Sequence, residues 1–307
     1  MKRLLFLLLA SALFLSGCSG DALTGYTKAA QKTGSIPNGK FQIKTSVDMD
    51  FNLDNLTVEE IKDIKYLEHM DFNCEVTYAD NKDHKKALAQ CYGNVGGLGI
   101  DAEIYVNGDH VDLYLPMLGG YLNLTDAAYQ EKLNASEKFG ELFEPMIDKF
   151  LELLTTKDIM KGKRTYITTE DGQIKTTVYT IQMNEEQILS LVDETARIME
   201  SENINVCELF GMDIEINEVT EAMQNWKKYS ILSGFSSTAY VDFDGRLVMQ
   251  DYELDITFKN ADTTKGPVRI QMSGKITFSG LGEAQEIELP VVTPEMYIEE
   301  GWEELWN

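Results

Sequence analysis

The amino-acid sequence predicts an α+β fold, in which one large curved antiparallel β-sheet, a half-barrel, packs around helices on its concave face. Long stretches near both ends of the chain alternate apolar and polar residues, tight-turn dipeptides lie between such stretches, and the central region spaces its apolar residues by three and four. Alternation indicates strands with one buried and one solvated face, which is typical of antiparallel sheets. Strands of this length twist, so the sheet curves and its apolar face needs a cover.

Four stretches carry the clearest strand pattern. Residues 41–53 and 70–78 alternate in the first third of the chain, and residues 252–258 and 268–278 do so in the last third. Successive side chains of a strand point to opposite faces of a sheet. Each stretch is therefore predicted to be a strand with one apolar face.

The chain also carries strong hairpin signals. Asn107-Gly108, Asp171-Gly172 and Asp244-Gly245 each separate two alternating runs. Asn-Gly and Asp-Gly favour the two-residue turns that match the twist of paired strands. Each dipeptide is predicted to be the turn of a β-hairpin.

A further turn centred on Lys82 and Asp83 would place Cys74 opposite Cys91. Large residues would then face small ones, which supports this register. A cross-strand disulfide is one prediction for this pair outside the cytoplasm, and two reduced, buried cysteines are the alternative. Cys207 has no predicted partner.

Five segments are predicted to be helical from their spacing or their boundary residues. They are residues 26–33, 57–67, 142–154, 188–199 and 218–233. Apolar residues three and four apart form one stripe along a helix, which suits packing against a sheet. The central helices are therefore expected to cover the apolar face.

The N-terminus has the pattern of an export signal. Lys2 and Arg3 precede an apolar run over residues 4–15, which ends in Leu-Ser-Gly before Cys18. This sequence resembles the lipobox of bacterial lipoproteins. The resemblance implies that residues 1–17 are removed and that Cys18 carries a diacylglyceryl group, which anchors the chain at the extracytoplasmic face of the cell membrane. An ordinary signal peptide with an incidental cysteine is the alternative.

Composition excludes one class of partner. The chain has 27 basic and 51 acidic residues and a formal net charge of −24. A nucleic-acid-binding protein needs a basic surface to neutralise phosphates. No nucleic-acid partner is therefore expected.

No motif predicts a catalytic residue, a metal site or a cofactor. His69, His84 and His110 have no partner at metal-binding spacing, and the glycines of residues 96–99 lack the Lys-Ser/Thr of a phosphate loop. Residues 242–245 begin a calcium-loop pattern but lack its remaining ligands. A turn is the expected structure in both segments.

The lipobox, the short helix with Tyr-Thr-Lys-Ala-Ala over residues 26–30, and the long strands interrupted by helices resemble LolA/LppX-like lipoproteins of the Gram-positive type. The closing stretch over residues 282–290 is also similar to these proteins. The resemblance implies a lipidated tether with a short helix over residues 18–38 and one domain over residues 39–307. It also implies an incomplete β-barrel whose better-known members carry lipids or lipoproteins in an apolar cavity.

The predicted function is therefore non-enzymatic binding or carriage of a lipid or another hydrophobic ligand. The alternative is an interaction or structural module of the cell envelope, with a filled core and a protein partner; an enzyme is a third interpretation. The predicted cavity lining comes from two helices and the last two strands: Met146, Phe150, Leu154, Leu189, Val192, Met199, Tyr252, Leu254, Ile256, Phe258, Ile270 and Met272.

Overall fold

The computed structural model confirms the predicted α+β class: eleven strands form one open, curved antiparallel sheet, and helices pack against it. The residues described are 21–54, 56–81, 84–125, 145–202, 216–217, 220, 230–258 and 267–298.

The strands follow one another as β1 (Asn38–Phe51), β2 (His69–Asn81), β3 (His84–Val95), β4 (Leu98–Asn107), β5 (His110–Leu115), β6 (Gly120–Asn123), β7 (Ile159–Thr169), β8 (Gly172–Met183), β9 (Ser230–Val241), β10 (Leu247–Phe258) and β11 (Pro267–Ser279). The helices are α1 (Ala22–Gly34), α2 (Val58–Lys65) and α3 (Glu185–Glu202), with a 3₁₀ turn at Pro294–Met296. Residues 145–153 are also helical.

The sheet consists of two meanders that meet in its middle. Its order is β6-β5-β4-β3-β2-β1-β11-β10-β9-β8-β7, and every neighbouring pair is antiparallel. The pairing of β1 with β11 joins the two meanders and runs from Lys40 opposite Ser279 to Phe51 opposite Pro267. The first and last strands of the chain therefore form the centre of the sheet.

The four strands predicted from alternation and the three predicted hairpins are confirmed. Gly108, Gly172 and Gly245 have φ angles of 64°, 96° and 75°, which glycine adopts without steric cost. The helix predicted over residues 218–233 is wrong at its C-terminal end, because β9 already begins at Ser230. Of residues 218–229 the structure describes residue 220 alone, which is helical.

The packed core lies on the half of the sheet that contains β7 to β10. The rings of Tyr26 on α1 and Tyr179 on β8 lie 6.5 Å apart, and those of Phe150 and Phe235 meet edge to face at 6.2 Å. The buried core members are Tyr26, Ala29, Leu154, Ile159, Tyr179, Ile181, Met183, Ile188, Ala239, Val241 and Leu247.

Helix α1 is fixed along β10 by hydrogen bonds. The hydroxyl of Thr33, which is buried, accepts from the N–H of Leu247 at 2.8 Å and donates to its carbonyl oxygen at 3.3 Å. Tyr26 donates to the Oε1 of Gln250 at 3.3 Å, and Lys32 donates to the carbonyl oxygen of Asp244. Because the contacts on β10 move from 250 toward 244 as α1 advances, α1 points its C-terminus at the β9–β10 turn.

The register predicted for β2 and β3 is confirmed. Cys74 lies opposite Cys91, and Phe72 and Tyr78 face Gly93 and Ala87. The structure contains a disulfide between Cys74 and Cys91, with Cys74 buried in the sheet.

Replacing Thr33 with valine is expected to lower the free energy of unfolding by about 1–3 kcal/mol, because both backbone groups of Leu247 lose their partner in a buried site. Urea denaturation of residues 19–307 measures this. Ser35→Ala removes an exposed hydroxyl at the end of the same helix and serves as the control. Equal stability of the Thr33→Val variant and the wild type would contradict the assignment of Thr33 as the hydrogen-bond partner of Leu247.

Removing the disulfide with the pair Cys74→Ala and Cys91→Ala is expected to lower the free energy of unfolding by about 3 kcal/mol, since the bond closes a loop in the unfolded chain. The two cysteines are separated by 17 residues. Guanidinium denaturation of the double variant, compared with oxidised wild type, tests this. Forming the disulfide removes two hydrogens, about 2 Da, from the chain. A wild-type mass equal to that of the fully reduced chain would show that the bond does not form.

Candidate functional site

One face of the sheet is apolar across nearly its whole width. A single row of paired residues shows this from the β6 edge to the centre: Leu122, Leu113, Ile104, Ala89, Val76, Phe41 and Phe278. On each strand, the residues that alternate with the apolar ones are mostly polar and lie on the opposite face of the sheet.

Burial divides this apolar face into two halves. On β8 and β9, Tyr179, Ile181 and Ala239 are 5%, 0% and 0% exposed beneath the helices. On β1, β2 and β11 the equivalent side chains are half-buried, and Phe72 is 45% exposed. We call this second half the open apolar face; its members are Ile43, Val47, Met49, Met70, Phe72, Ile270, Met272 and Ile276.

An unusual contact marks the boundary between the two halves. Tyr252 on β10 lies over Gly274 on β11, where an added Cβ would be 2.3 Å from the tyrosine oxygen. The Tyr252 hydroxyl then shares a hydrogen bond of 2.7 Å with the hydroxyl of Thr45 on β1. A glycine within a strand leaves room for such an approach, so this ring connects three strands and borders the open apolar face.

The predicted cavity residues occupy the expected elements and differ in burial. Leu154, Met199 and Ile256 are buried, and Phe150 packs against the core. The others are half-buried: Met146 in the helical segment 145–153, Leu189 and Val192 on α3, Tyr252, Leu254 and Phe258 on β10, and Ile270 and Met272 on β11.

Two grooves cross the middle of the sheet, with volumes of about 650 and 690 Å³. The first includes Tyr252 and the second includes Leu254 and Met272, but both are lined mainly by polar residues such as Lys44 and Gln271. A third space of about 780 Å³ lies between α1 and the helical segment 145–153 and is lined mostly by polar and charged side chains. These grooves therefore differ in chemistry from the predicted apolar cavity.

Carboxylates contact the rings of His69 and His110. His69 lies between Asp48 and Asp71 at 2.7 and 2.9 Å, and the hydrogen bond to Asp48 is the main cause that raises the pKa of His69. His110 contacts Asp112 at 3.0 Å and the Thr125 hydroxyl at 2.9 Å. In the part of the chain that the structure describes, no three His, Cys, Asp or Glu residues are grouped as metal ligands.

A tyrosine cluster on the polar face was missed by the sequence reasoning. Tyr114 and Tyr121 have ring centroids 4.8 Å apart, and Tyr105 lies 6.3 Å from Tyr121. Tyr297 donates to the buried carboxylate of Asp112 at 3.0 Å, and burial followed by that bond raises the pKa of Tyr297 to about 12. Tyr105, Tyr114 and Tyr121 fall at polar-face positions of the successive strands β4, β5 and β6. This placement was the sequence signal from which the cluster could have been predicted.

This cluster attaches the C-terminal segment to the sheet edge. Tyr297 forms a bridge with Tyr121, and the N–H of Ile298 donates to the Tyr121 carbonyl oxygen at 2.9 Å. An exposed edge strand invites pairing with other chains, so the segment protects β6.

Several predicted features lie outside the described residues: the signal over residues 1–17, Cys18, the turn centre Lys82 and Asp83, residues 142–144 of one predicted helix, and Cys207. Among the helices that are described, none combines the length and apolarity needed to cross a membrane.

Comparisons with known proteins add no family. No family model matches the chain, and no curated protein matches it. Among solved structures, an N-terminal dehydratase from the difficidin assembly line is similar at 9% identity and a TM-score of 0.13, over 83% of this chain and 82% of that one. A likeness this weak carries no argument about fold or function.

Proposed function

We propose that the protein is a lipoprotein at the extracytoplasmic face of the membrane, anchored through Cys18, and that it binds a lipid or another hydrophobic ligand on the open apolar face. The observation that carries the proposal is the unequal burial of one continuous apolar face. Side chains on β8 and β9 are buried under helices, whereas those on β1, β2 and β11 remain half-buried.

The physical argument concerns apolar area left in contact with water. Each square ångström of such area removed from water contributes about 25 cal/mol. Phe72 and its neighbours on β1 and β11 would be covered by an acyl chain lying along the strands. The polar pair Thr45–Tyr252 borders this surface and supplies a hydroxyl for a headgroup or ester oxygen.

The proposed role is binding without catalysis. His69 directs its ring nitrogens at Asp48 and Asp71, and His110 directs its own at Asp112 and at the Thr125 hydroxyl. The Thr125 hydroxyl donates to the Oδ1 of Asn123 at 2.5 Å, so toward His110 it acts as the acceptor. Neither histidine therefore activates a nucleophile of the kind that acyl transfer requires.

An envelope interaction module is the second candidate. It is favoured by apolar side chains that project at one end of the sheet, where Val58 and Leu98 are 66% and 59% exposed. Patches of this kind mark contacts with proteins or membranes.

Placing a charge on the open apolar face is expected to abolish ligand binding. Phe72→Asp changes a side chain that is already 45% exposed, so its effect on folding is small. Native mass spectrometry of protein purified from a lipid-containing host should show at least a tenfold loss of co-purified amphiphile relative to wild type.

The matched control is Tyr92→Asp. Tyr92 is 39% exposed and lies on the adjacent strand β3, opposite Asn73, on the polar face. This variant should retain the ligand. Equal retention by both variants, or an apo wild type, would count against the open apolar face as the binding surface.

Removing the Cys18 thiol is expected to abolish lipidation, because the thioether forms on that sulfur. Metabolic labelling with a radioactive fatty acid should mark wild type and Cys207→Ala but not Cys18→Ala. Label on the Cys18→Ala variant would contradict the proposed anchor.

A further inference from the structure

Five exposed apolar residues lie together at one end of the sheet. Two flank the β3–β4 turn, and three belong to α2 and the residues that follow it. We call them the apolar end: Val58, Tyr66, Leu67, Val95 and Leu98, which are 66%, 58%, 43%, 40% and 59% exposed.

The two segments that form the apolar end are packed together. A Cβ added at Gly96, in the β3–β4 turn, would lie 2.5 Å from the Cα of Tyr66. The N–H of Gly96 also faces the carbonyl oxygen of His69, at 3.4 Å. The α2 connection and the turn therefore present one surface.

The register places this surface at a defined end of the molecule. Val95 pairs with Met70 at the start of β2, and Met49 near the end of β1 pairs with Ile270 near the start of β11. Ile270 pairs in turn with Ile256 near the end of β10. The β9–β10 turn, with Phe243 93% exposed, lies at the opposite end of the sheet.

The N-terminus of α1 points toward the apolar end. Tyr26 contacts Gln250, whereas Thr33, further along the helix, contacts Leu247 nearer the β9–β10 turn. The start of the helix therefore faces away from that turn. Asp21, at the start of the helix, therefore lies on the side toward the end of the sheet where β10 finishes and α2 lies.

The tether is short compared with the sheet. From Gln250 to Phe258, β10 extends about 26 Å. From Tyr26 back to Asp21, α1 covers about 7 Å, and three extended residues to Cys18 add at most about 10 Å. The tether is therefore shorter than the part of the sheet that extends beyond Gln250. An acyl group on Cys18 would enter the bilayer only with the end of the sheet already at the membrane surface.

From this geometry we propose that the protein stands on the membrane with the apolar end inserted among the lipid headgroups and the β9–β10 turn pointing away. The inference rests on the proposed anchor at Cys18. The occupant is a bilayer, because the tether holds this end of the molecule at the membrane surface. In this orientation the open apolar face, which ends beside Met70 and Val95, connects directly with the bilayer.

The chemistry of the surrounding residues suits a phospholipid interface. Lys62 and Lys65 on α2 are exposed beside the apolar side chains and can reach headgroup phosphates. Glu59 and Glu68 are also exposed there and oppose strong attraction to anionic lipid. Insertion is therefore driven by the apolar side chains, and it does not require an anionic membrane.

The test places an environment-sensitive dye at either end of the lipidated full-length protein. Leu98→Cys and Phe243→Cys are each made in a Cys207→Ser background and labelled with a nitrobenzoxadiazole dye. Both positions are highly exposed and lie at or beside a turn, so they form a matched pair. Each protein is reconstituted in phosphatidylcholine vesicles that contain brominated acyl chains as quencher.

We expect the dye at position 98 to shift to the blue and to be quenched at least threefold more than the dye at position 243. Equal quenching at the two positions, or stronger quenching at 243, would overturn the orientation. A blue shift at position 98 that ignores the brominated lipid and grows with protein concentration would assign the apolar end to a second copy, and would also overturn it.

Flotation of the vesicles separates failure of the anchor from failure of the inference. Protein that floats with the vesicles and has the mass of the diacylglyceryl form carries the proposed anchor. Its dye signals then test the orientation alone. Protein that does not float overturns the anchor, and the orientation with it.

Discussion

The pairing of β1 with β11 is the constraint on which the rest of the structure depends. It joins a meander of six strands to one of five, and it brings residues 38–51 against residues 267–279. Contacts between segments so far apart in sequence carry a large loop-closure cost, which is repaid by many backbone hydrogen bonds formed together. Because both strands are central, every row of the apolar face passes through this pair, and the covered and open halves meet beside it.

The division of the apolar face follows from where the helices attach. Helix α1 is aligned on β10 by Thr33 and Tyr26, and the helical segment 145–153 places Phe150 against Phe235 on β9. These contacts concentrate the core on the second meander. Tyr252 marks the limit of this half, because its ring lies over Gly274 and its hydroxyl reaches Thr45. The half-buried side chains beyond that ring form the surface to which we assign ligand binding.

Local pattern predicted much of this fold because one face of most strands is half-buried, so alternation survives in the sequence. It assigned the start of β9, residues 230–233, to a helix, because small residues occupy both faces of this strand. The buried Ser237 of β9 donates to the carbonyl oxygen of Asp251 at 2.8 Å. The predicted turn indicated that Cys74 pairs with Cys91, because the position of a hairpin turn fixes which residues of its two strands face each other.

The packing of segments that are distant in sequence leaves no such local pattern. The sequence placed the cavity residues on the correct elements but could not tell which half of the sheet the helices cover, nor that Tyr297 would contact Asp112.

The most direct test of the account is where an acyl chain contacts the protein. Methionine methyl groups report this, because Met49, Met70 and Met272 lie on the open apolar face, whereas Met183 and Met199 are 5% and 3% exposed in the covered half. With ¹³C-methyl-methionine protein and a bound lipid, the account predicts intermolecular nuclear Overhauser effects from the acyl chain to the first three methyl groups. Effects confined to Met183 and Met199 would place the ligand between helices and sheet and would contradict it.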